Sequence, residues 1–180
     1  TMKIDFIISS LVGGGAERVL VLLANKFVTE GHDVSIITFS NVEEYEYDSR
    51  IKRILLLERK IKNHTLNDLY NLIKYYKKQK RSKSVIISFI TLTNFLALIV
   101  AKLFRIPIIC SEHTNHQSKA QKINRFTRNY LYKFADHLTV LTDFDYQFYS
   151  KKNIKCSVMQ NPCSFEVVPF PNLNPEKVIL

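Results

Sequence analysis

Three consecutive glycines and one loop histidine are the residues of this 180-residue sequence whose types and positions could do chemistry. Gly13, Gly14 and Gly15 stand between an apolar run and a helical pattern, where backbone N–H groups and the helix dipole can bind a phosphate. His113 follows another apolar run, in a position suited to acid–base work or to contact with a phosphate. A tight turn also favours glycine, and a loop histidine can simply bond to the backbone, so neither pattern decides alone.

The glycine pattern does not match the fingerprint of dinucleotide-binding proteins. Arg18 stands where the third glycine of G-x-G-x-x-G belongs, and the second apolar run ends without the acid that binds ribose. An NAD-dependent sugar-nucleotide enzyme is therefore a weak alternative. His113, His116 and Glu112 could be imagined around a metal ion, but no further well-spaced ligand follows, so we predict no metal site.

Alternating apolar runs and helical patterns indicate the elements that position these residues. Strands are predicted at 3–9, 34–39, 51–57, 85–90, 106–110, 137–141 and 156–160, and helices at 16–30, 66–83, 94–104, 119–134 and 143–149. This alternation predicts an α/β fold with a Rossmann-like, doubly wound parallel sheet of about seven strands, whose ligands lie beyond the carboxyl ends of the strands. The predicted site therefore combines the glycine turn with segments 87–94, 111–115 and 159–162.

The composition predicts a folded domain with an anionic partner. Hydrophobic residues make up 46% of the chain and charged residues 23%, as in ordinary globular proteins. The 26 Lys and Arg residues exceed the 16 Asp and Glu residues, giving a net charge of +10, which favours nucleic acid, anionic lipid or a phosphorylated substrate. Two basic helical patterns, 66–83 and 119–134, carry aromatic residues and favour docking to an anionic membrane. Nucleic acid is disfavoured because no helix-turn-helix, RNP-type or zinc-finger pattern is present.

Cysteine usage and hydropathy predict a cytosolic location. Cys110, Cys156 and Cys163 lack C-x-x-C spacing and are expected to be buried thiols in a reducing compartment. No secretory signal is visible at the N-terminus. Segment 84–101 has 18 uncharged residues, but its serine, threonine and asparagine residues favour a strand and a helix over a membrane span.

The end of the sequence predicts a second domain. Residues 1–170 are expected to form one Rossmann-like domain, and a Pro- and Asn-rich stretch follows Pro162. Residues 171–180 end in a new apolar run, which we interpret as a linker and the start of a C-terminal domain that has been cut away.

Five segments together resemble the N-terminal half of a family-4 glycosyltransferase with the GT-B fold. They read GGGAERVLVLLANKFVTEGHDVSIITF, VIISF, PIICSEHTN, ADHLTVLT and VMQNPCSF, and they cover nearly the whole chain. Each segment alone is weak, but their order and spacing are those of the family. Within it, SEHTN and QNPC are most similar to bacterial transferases that add N-acetylhexosamine units to polyprenyl-pyrophosphate-linked glycans.

The resemblance implies a retaining transfer of a sugar, usually from a UDP-sugar, in a cleft between two Rossmann-like domains. This half would hold mainly the acceptor, a glycan or a polyprenyl-pyrophosphate-linked glycan, in the synthesis of cell-surface polysaccharide or glycoconjugate. The expected location is the inner face of the cytoplasmic membrane, with peripheral contact to anionic lipid. No cofactor or metal is expected, because helix termini and cations can neutralise the leaving diphosphate. The alternative is a non-catalytic basic module that binds anionic lipid or another polyanion.

The resemblance also assigns residues. His113 matches the family histidine that contacts the transferred sugar, and Gly14 and Gly15 match the turn that approaches the donor pyrophosphate. The residues predicted on the acceptor side are Thr91, Thr93, Thr114, Asn115, Lys74, Lys77 and Lys78. Family members also carry two glutamates eight positions apart in the C-terminal half, and this sequence has no such pair. The 180-residue chain is therefore expected to be inactive alone.

Overall fold

A computed structural model gives the structure of the protein, and it describes residues 1–79, 84–119 and 121–162. Seven strands lie within these residues: β1 (Lys3–Ile7), β2 (Asp33–Thr38), β3 (Lys52–Leu55), β4 (Ser84–Phe89), β5 (Ile108–Ser111), β6 (His137–Val140) and β7 (Cys156–Val158). The helices there are α1 (Gly15–Thr29), α2 (His64–Lys78), α3 (Thr91–Phe104), α4 (Lys122–Phe126) and α5 (Asp143–Ser150). A π-helical turn (Thr127–Leu131) and a 3-10 turn (Tyr132–Phe134) continue from α4.

The strands form one parallel sheet in the order β3-β2-β1-β4-β5-β6-β7. This confirms the predicted doubly wound α/β architecture. The strand order reverses between β1 and β4, so the segments that follow these two strands leave the sheet in different directions. In open α/β sheets, such a switch point opens a crevice at the carboxyl ends of the strands.

Helices cover both faces of the sheet, because the strand side chains alternate between two apolar cores. Phe6 on β1 packs with α1 residues such as Leu20 on one face, whereas its neighbour Ile7 packs with Leu72 of α2 and Leu96 of α3 on the other. Burial on both faces explains why the strands read as continuous apolar runs. The two cores leave the carboxyl edge of the sheet as the place where polar loops can meet.

Several element boundaries differ from the sequence prediction, and two of these differences concern helices close to His113. Helix α3 begins at Thr91, three residues earlier than expected, because the chain turns sharply at Ile90, whose φ is 73°. A β-branched residue rarely adopts a positive φ, so no propensity argument predicts this turn. The helix expected at 119–134 begins at Lys122 and widens into the π-helical turn.

Segment 84–101 consists of β4 and most of α3, as predicted. Within the described residues, no helix has both the length and the apolar character that crossing a bilayer requires. Cys110 is fully buried, and burial raises the pKa of its thiol to about 12. Cys156 is half-buried, whereas Cys163 lies outside the described residues, as do residues 171–180 of the predicted second domain.

Candidate functional site

The glycine turn that follows β1 opens α1 with backbone groups alone. Gly14 is the N-cap of this 15-residue helix, and no side chain caps it. Glu44 accepts a hydrogen bond of 2.9 Å from the N–H of Gly13, and the Tyr45 hydroxyl donates one of 2.9 Å to the carbonyl oxygen of Gly14. The turn is thus held by the segment after β2, while the first N–H groups of α1 and its dipole form the kind of end that favours an anion.

Side chains approach two of these glycines closely. A Cβ atom at Gly14 would overlap the carboxylate of Glu17, and one at Gly15 would lie 3.3 Å from Nδ2 of Asn161. Asn161 follows β7, so the segment after the last strand lies beside the turn after the first strand. The structure therefore brings the predicted GGG and QNP segments together at the carboxyl edge of the sheet.

His113 lies in the loop that follows β5, over the buried ring of Phe89. The two ring centroids are 5.4 Å apart, and Nε2 of His113 is 2.9 Å from the hydroxyl of Ser111. Burial lowers the pKa of His113 to about 4, because the protonated ring would lose hydration there. At neutral pH the imidazole is uncharged. It is suited to a hydrogen bond with a neutral hydroxyl and poorly suited to general acid–base work near neutral pH.

Glu112, beside His113, points into the protein and is only 2% exposed. Its carboxylate accepts hydrogen bonds from the Tyr132 hydroxyl at 2.6 Å, from the Thr91 hydroxyl at 2.8 Å and from the N–H of Thr114 at 2.9 Å. The guanidinium of Arg128, also buried, lies 3.6 Å from it. This buried carboxylate ties the loop after β5 to α3 and to the π-helical turn.

Arg128 extends the same network into the loop that carries His113. Its guanidinium donates to the carbonyl oxygen of Asn115 at 3.4 Å, to the hydroxyl of Ser118 at 3.2 Å and to that of Thr91 at 3.3 Å. The side chain of Asn94 donates to the carbonyl oxygen of Ser111 and to the Tyr132 hydroxyl, both at 3.0 Å. These contacts fix the backbone on either side of His113, so the histidine stands on a rigid loop.

The predicted acceptor-side threonines do not all face the cleft. Thr91 and Thr93 are buried in the first turn of α3 instead of standing at a strand end, and Thr91 is occupied by Glu112. Thr114 is half-buried beside His113, and Asn115 is exposed, with its side chain accepting from the N–H of Gln117. Thr114 and Asn115 are thus close to His113 and reachable, whereas Thr91 and Thr93 support the loop from inside.

The three predicted lysines lie away from His113. Lys77 and Lys78 are exposed at the end of α2, where Gln79 contacts Lys3 at the start of β1, so they stand at the opposite edge of the sheet. Lys74 is paired with Glu58 at 2.5 Å and so carries a compensated charge. The structure brings none of these lysines to the site around His113.

His116 lies in a pocket next to the loop of His113. Its Nδ1 is 2.6 Å from Asp145, and its ring stacks on Phe148 with the centroids 4.0 Å apart. These two aromatic rings line a cavity of about 240 Å³ together with basic side chains that include Lys119 and Arg125. No group of three or more potential metal ligands occurs among residues 1–79, 84–119 and 121–162.

Sequence reasoning missed the residues that hold His113 in place. Arg128 and Tyr132 lie four positions apart on a segment that reads as an amphipathic helix, and they were interpreted as part of its basic, aromatic surface. Both are buried against Glu112. Their spacing was the available signal, because an arginine and a tyrosine on one helical face can serve the same carboxylate.

The family model for glycosyltransferase family 4 matches residues 13–163. The chain belongs to glycosyltransferase family 4. The match contains the glycine turn, His113 and Asn161, and so it covers every part of the carboxyl-edge site. The sequence resemblance to this family is thereby confirmed.

One curated relative is 41% identical over 175 residues, or 91% of this chain. It is the Campylobacter jejuni GalNAc-α-(1→4)-GalNAc-α-(1→3)-diNAcBac-PP-undecaprenol α-1,4-N-acetyl-D-galactosaminyltransferase. The match covers 47% of that protein, so the chain spans about half the length of the curated relative. The predicted likeness to transferases that act on polyprenyl-pyrophosphate-linked glycans is confirmed.

Solved structures show the same fold at low sequence identity. Sucrose-phosphate synthase from Thermosynechococcus elongatus matches with a TM-score of 0.69 and 12% identity over 89% of this chain and 48% of that one. HepE from Anabaena, solved in complex with UDP and glucose, matches with a TM-score of 0.67 and 16% identity over 91% of this chain and 45% of that one. The chain therefore has the fold of one half of a GT-B glycosyltransferase.

Proposed function

We propose that this chain is the N-terminal half of a retaining glycosyltransferase that moves a sugar from a UDP-sugar to a lipid-linked glycan. The observation that carries the proposal is the 41% identity to a transferase named for an undecaprenol-linked glycan, which extends over 91% of the chain. The acceptor class follows that relative, and the donor class follows the HepE complex with UDP. Both are extended here from proteins that are about twice as long as this chain.

The carboxyl-edge site supports the donor part of the proposal. The N-terminus of α1, which no side chain caps, offers its dipole and the N–H groups from Gly15 onward to the pyrophosphate of the donor, while the N–H of Gly14 donates to the carbonyl oxygen of Val12. His113 is neutral and has a rigid support, so it can hydrogen-bond to a hydroxyl of the transferred sugar without adding charge. Helix termini and cations would stabilise the leaving diphosphate, and so we propose a reaction that needs no metal.

The acceptor is proposed to enter beside Thr114 and Asn115, which flank His113. Lys74, Lys77 and Lys78 remain predicted acceptor residues, although their distance from His113 removes them from the reacting end. The buried Thr91 and Thr93 would act by supporting the loop. The donor-binding glutamates of the family would come from a second domain.

Contact with a membrane is proposed for the segment that contains α4 and the two turns after it. Phe126 and Tyr130 are 49% and 59% exposed, and Phe134 is exposed one helical repeat further on. Exposed aromatic residues spaced by four, with Lys122 and Lys133 beside them, are typical of a helix that lies on an anionic bilayer. These exposed residues support the proposed location at the inner face of the cytoplasmic membrane, where a lipid-linked acceptor would be held.

The proposal is tested by UDP release from a protein that contains both halves. UDP-hexoses and UDP-N-acetylhexosamines are supplied with and without a polyprenyl-pyrophosphate glycan, and His113→Ala is compared with wild type. UDP release should require the acceptor. His113→Ala should lower kcat/KM by roughly 10²-fold, since the variant loses a positioned hydrogen-bonding group. His64→Ala, the same change at an exposed histidine, is the matched control and should leave the rate unchanged.

One outcome would replace the proposal with the binding-module alternative. If no donor sugar is consumed and the protein still sediments with anionic liposomes, the basic and aromatic surface is its working part. Neutral liposomes provide the comparison, because the electrostatic contribution requires anionic lipid.

A further inference from the structure

A row of two hydroxyl groups leads from β6 to His113. Ser111 and Thr139 are register partners on β5 and β6, so their side chains lie next to each other on one face of the sheet. Thr139 Oγ1 donates to Ser111 Oγ at 2.9 Å, and Ser111 Oγ is 2.9 Å from Nε2 of His113. Ser111 is 2% exposed, so water does not compete for these bonds.

The direction of these bonds determines the tautomer of His113. When Thr139 Oγ1 donates its hydrogen bond to Ser111 Oγ, as the geometry allows, the hydrogen of Ser111 is left to donate to Nε2, the acceptor in contact with it. A buried hydroxyl that donated to nothing would lose the free energy of a hydrogen bond. Nε2 therefore carries the lone pair, and the ring proton of the neutral imidazole resides on Nδ1.

The other ring nitrogen faces outward. Nδ1 of His113 has no hydrogen-bond partner among residues 1–79, 84–119 and 121–162, and it is not buried. The tilted contact with Phe89, with 33° between the ring planes, restrains the plane of the imidazole, so the direction of the Nδ1–H bond is restrained as well. An N–H group in this arrangement can donate to an oxygen of a bound molecule and cannot accept a proton from one.

We propose that Ser111 and Thr139 are positioning residues that hold His113 as its Nδ1–H tautomer and so present one outward hydrogen-bond donor. The acceptor would be an uncharged hydroxyl or ring oxygen of the substrate. Its identification as a sugar oxygen rests on the proposed function, whereas the tautomer does not. Thr139 acts through Ser111, and neither hydroxyl touches the substrate.

The tautomer is measured directly by NMR on the 180-residue chain labelled with nitrogen-15 in histidine. Two-bond proton–nitrogen correlations distinguish a protonated from an unprotonated ring nitrogen, and His113→Gln identifies the signals. Wild type should show a protonated Nδ1 and an unprotonated Nε2. Ser111→Ala should give a mixture of tautomers, whereas Ser35→Ala, the same change at a buried serine of β2, should leave His113 as in wild type.

Variants of Thr139 distinguish a role in positioning His113 from a role in folding alone. Thr139→Val keeps the shape of the side chain and removes the hydroxyl, so it should shift the tautomer, and Thr139→Ser should restore it. In a protein with both halves, Thr139→Val should lower kcat/KM by about tenfold, the change that one weakened hydrogen bond brings. Thr139→Ser should recover most of that loss.

Three results would overturn the proposal: a protonated Nε2 in wild type, a tautomer that survives Ser111→Ala, or failure of Thr139→Ser to restore it. A correct tautomer in a protein that transfers no sugar would support the positioning role and refute the proposed function. The two ideas therefore fail separately.

Discussion

Two buried carboxylates, Asp5 and Glu112, lie at nearly the same depth in very different surroundings. Asp5 is 0% exposed and Glu112 is 2% exposed. Glu112 accepts hydrogen bonds from two hydroxyls and one backbone N–H, and the charge of Arg128 lies close to it. Asp5 on β1 accepts one hydrogen bond of 3.0 Å from the Tyr76 hydroxyl at Oδ2, while Oδ1 has no hydrogen-bond partner in the part of the chain that the structure describes.

The difference shows that burial of a carboxyl group has different consequences at Glu112, which has several hydrogen-bonding partners, and at Asp5, which has few. Burial raises the pKa of Asp5, because a single hydroxyl donor does not compensate for lost hydration. At Glu112, donors from three elements arrive at one carboxylate, which then organises the loop of His113. The carboxyl edge is built around a carboxyl group with several hydrogen-bond donors, whereas burial favours the protonated form of Asp5 at the centre of the sheet.

The largest effect is expected for the substitution Glu112→Ala, which tests the comparison of the two carboxyl groups. It leaves the Arg128 guanidinium buried without a counter-charge, so the free energy of unfolding should fall by about 3–5 kcal/mol. Urea denaturation followed by circular dichroism measures the loss. Glu58→Ala removes a carboxylate that is paired with Lys74 at the surface, and it should change the stability little. Equal losses for the two variants would show that Glu112 has no special structural role.

A smaller effect is expected for Arg128→Lys. Lysine keeps the charge but cannot reach Asn115, Ser118 and Thr91 together, so about 1–3 kcal/mol of stability should be lost. Arg125→Lys, three positions away at the surface, is the control in the same denaturation assay. If both variants unfold at the same urea concentration, the hydrogen bonds of Arg128 contribute nothing to the free energy of unfolding.

The smallest effect, and one of opposite sign, is expected for Asp5→Asn. Because the pKa of Asp5 is raised in the folded state, the wild-type protein holds that proton more tightly when folded and loses stability as pH rises above the unfolded value. Asp5→Asn has no such loss. Its stability relative to wild type should therefore increase from acidic to neutral pH in a series of urea titrations, and a constant difference would contradict the raised pKa.

The fold was predictable because its signals are local. Seven apolar runs separated by helical patterns specify strands and helices, and buried parallel strands read as continuous apolar segments. The sharp turn at Ile90 was not predictable, since surrounding contacts force a positive φ on a residue that disfavours it. The early start of α3, with Thr91 and Thr93 inside it, follows from that turn.

The site was only half predictable, for a related reason. Gly14, Gly15 and His113 can be identified from the sequence by their residue type and by their positions after predicted strands. Glu112, Arg128 and the Ser111–Thr139 pair depend on which side chains face each other across the fold, and one sequence does not contain that information. Lys77 and Lys78 show the opposite case. They were predicted as acceptor residues because they belong to a dense group of cations, but α2 ends at the edge of the sheet opposite His113.

The closeness of Gly15 and Asn161 also determines when the site can form. One partner opens the first helix and the other follows the seventh strand, so nearly the whole described chain must be synthesised before they meet. Closing such a long loop is entropically costly, and ordered assembly of the sheet must precede it. During synthesis on the ribosome, the site at the carboxyl edge of the sheet would therefore form last. A nascent chain released before residue 161 would lack this site.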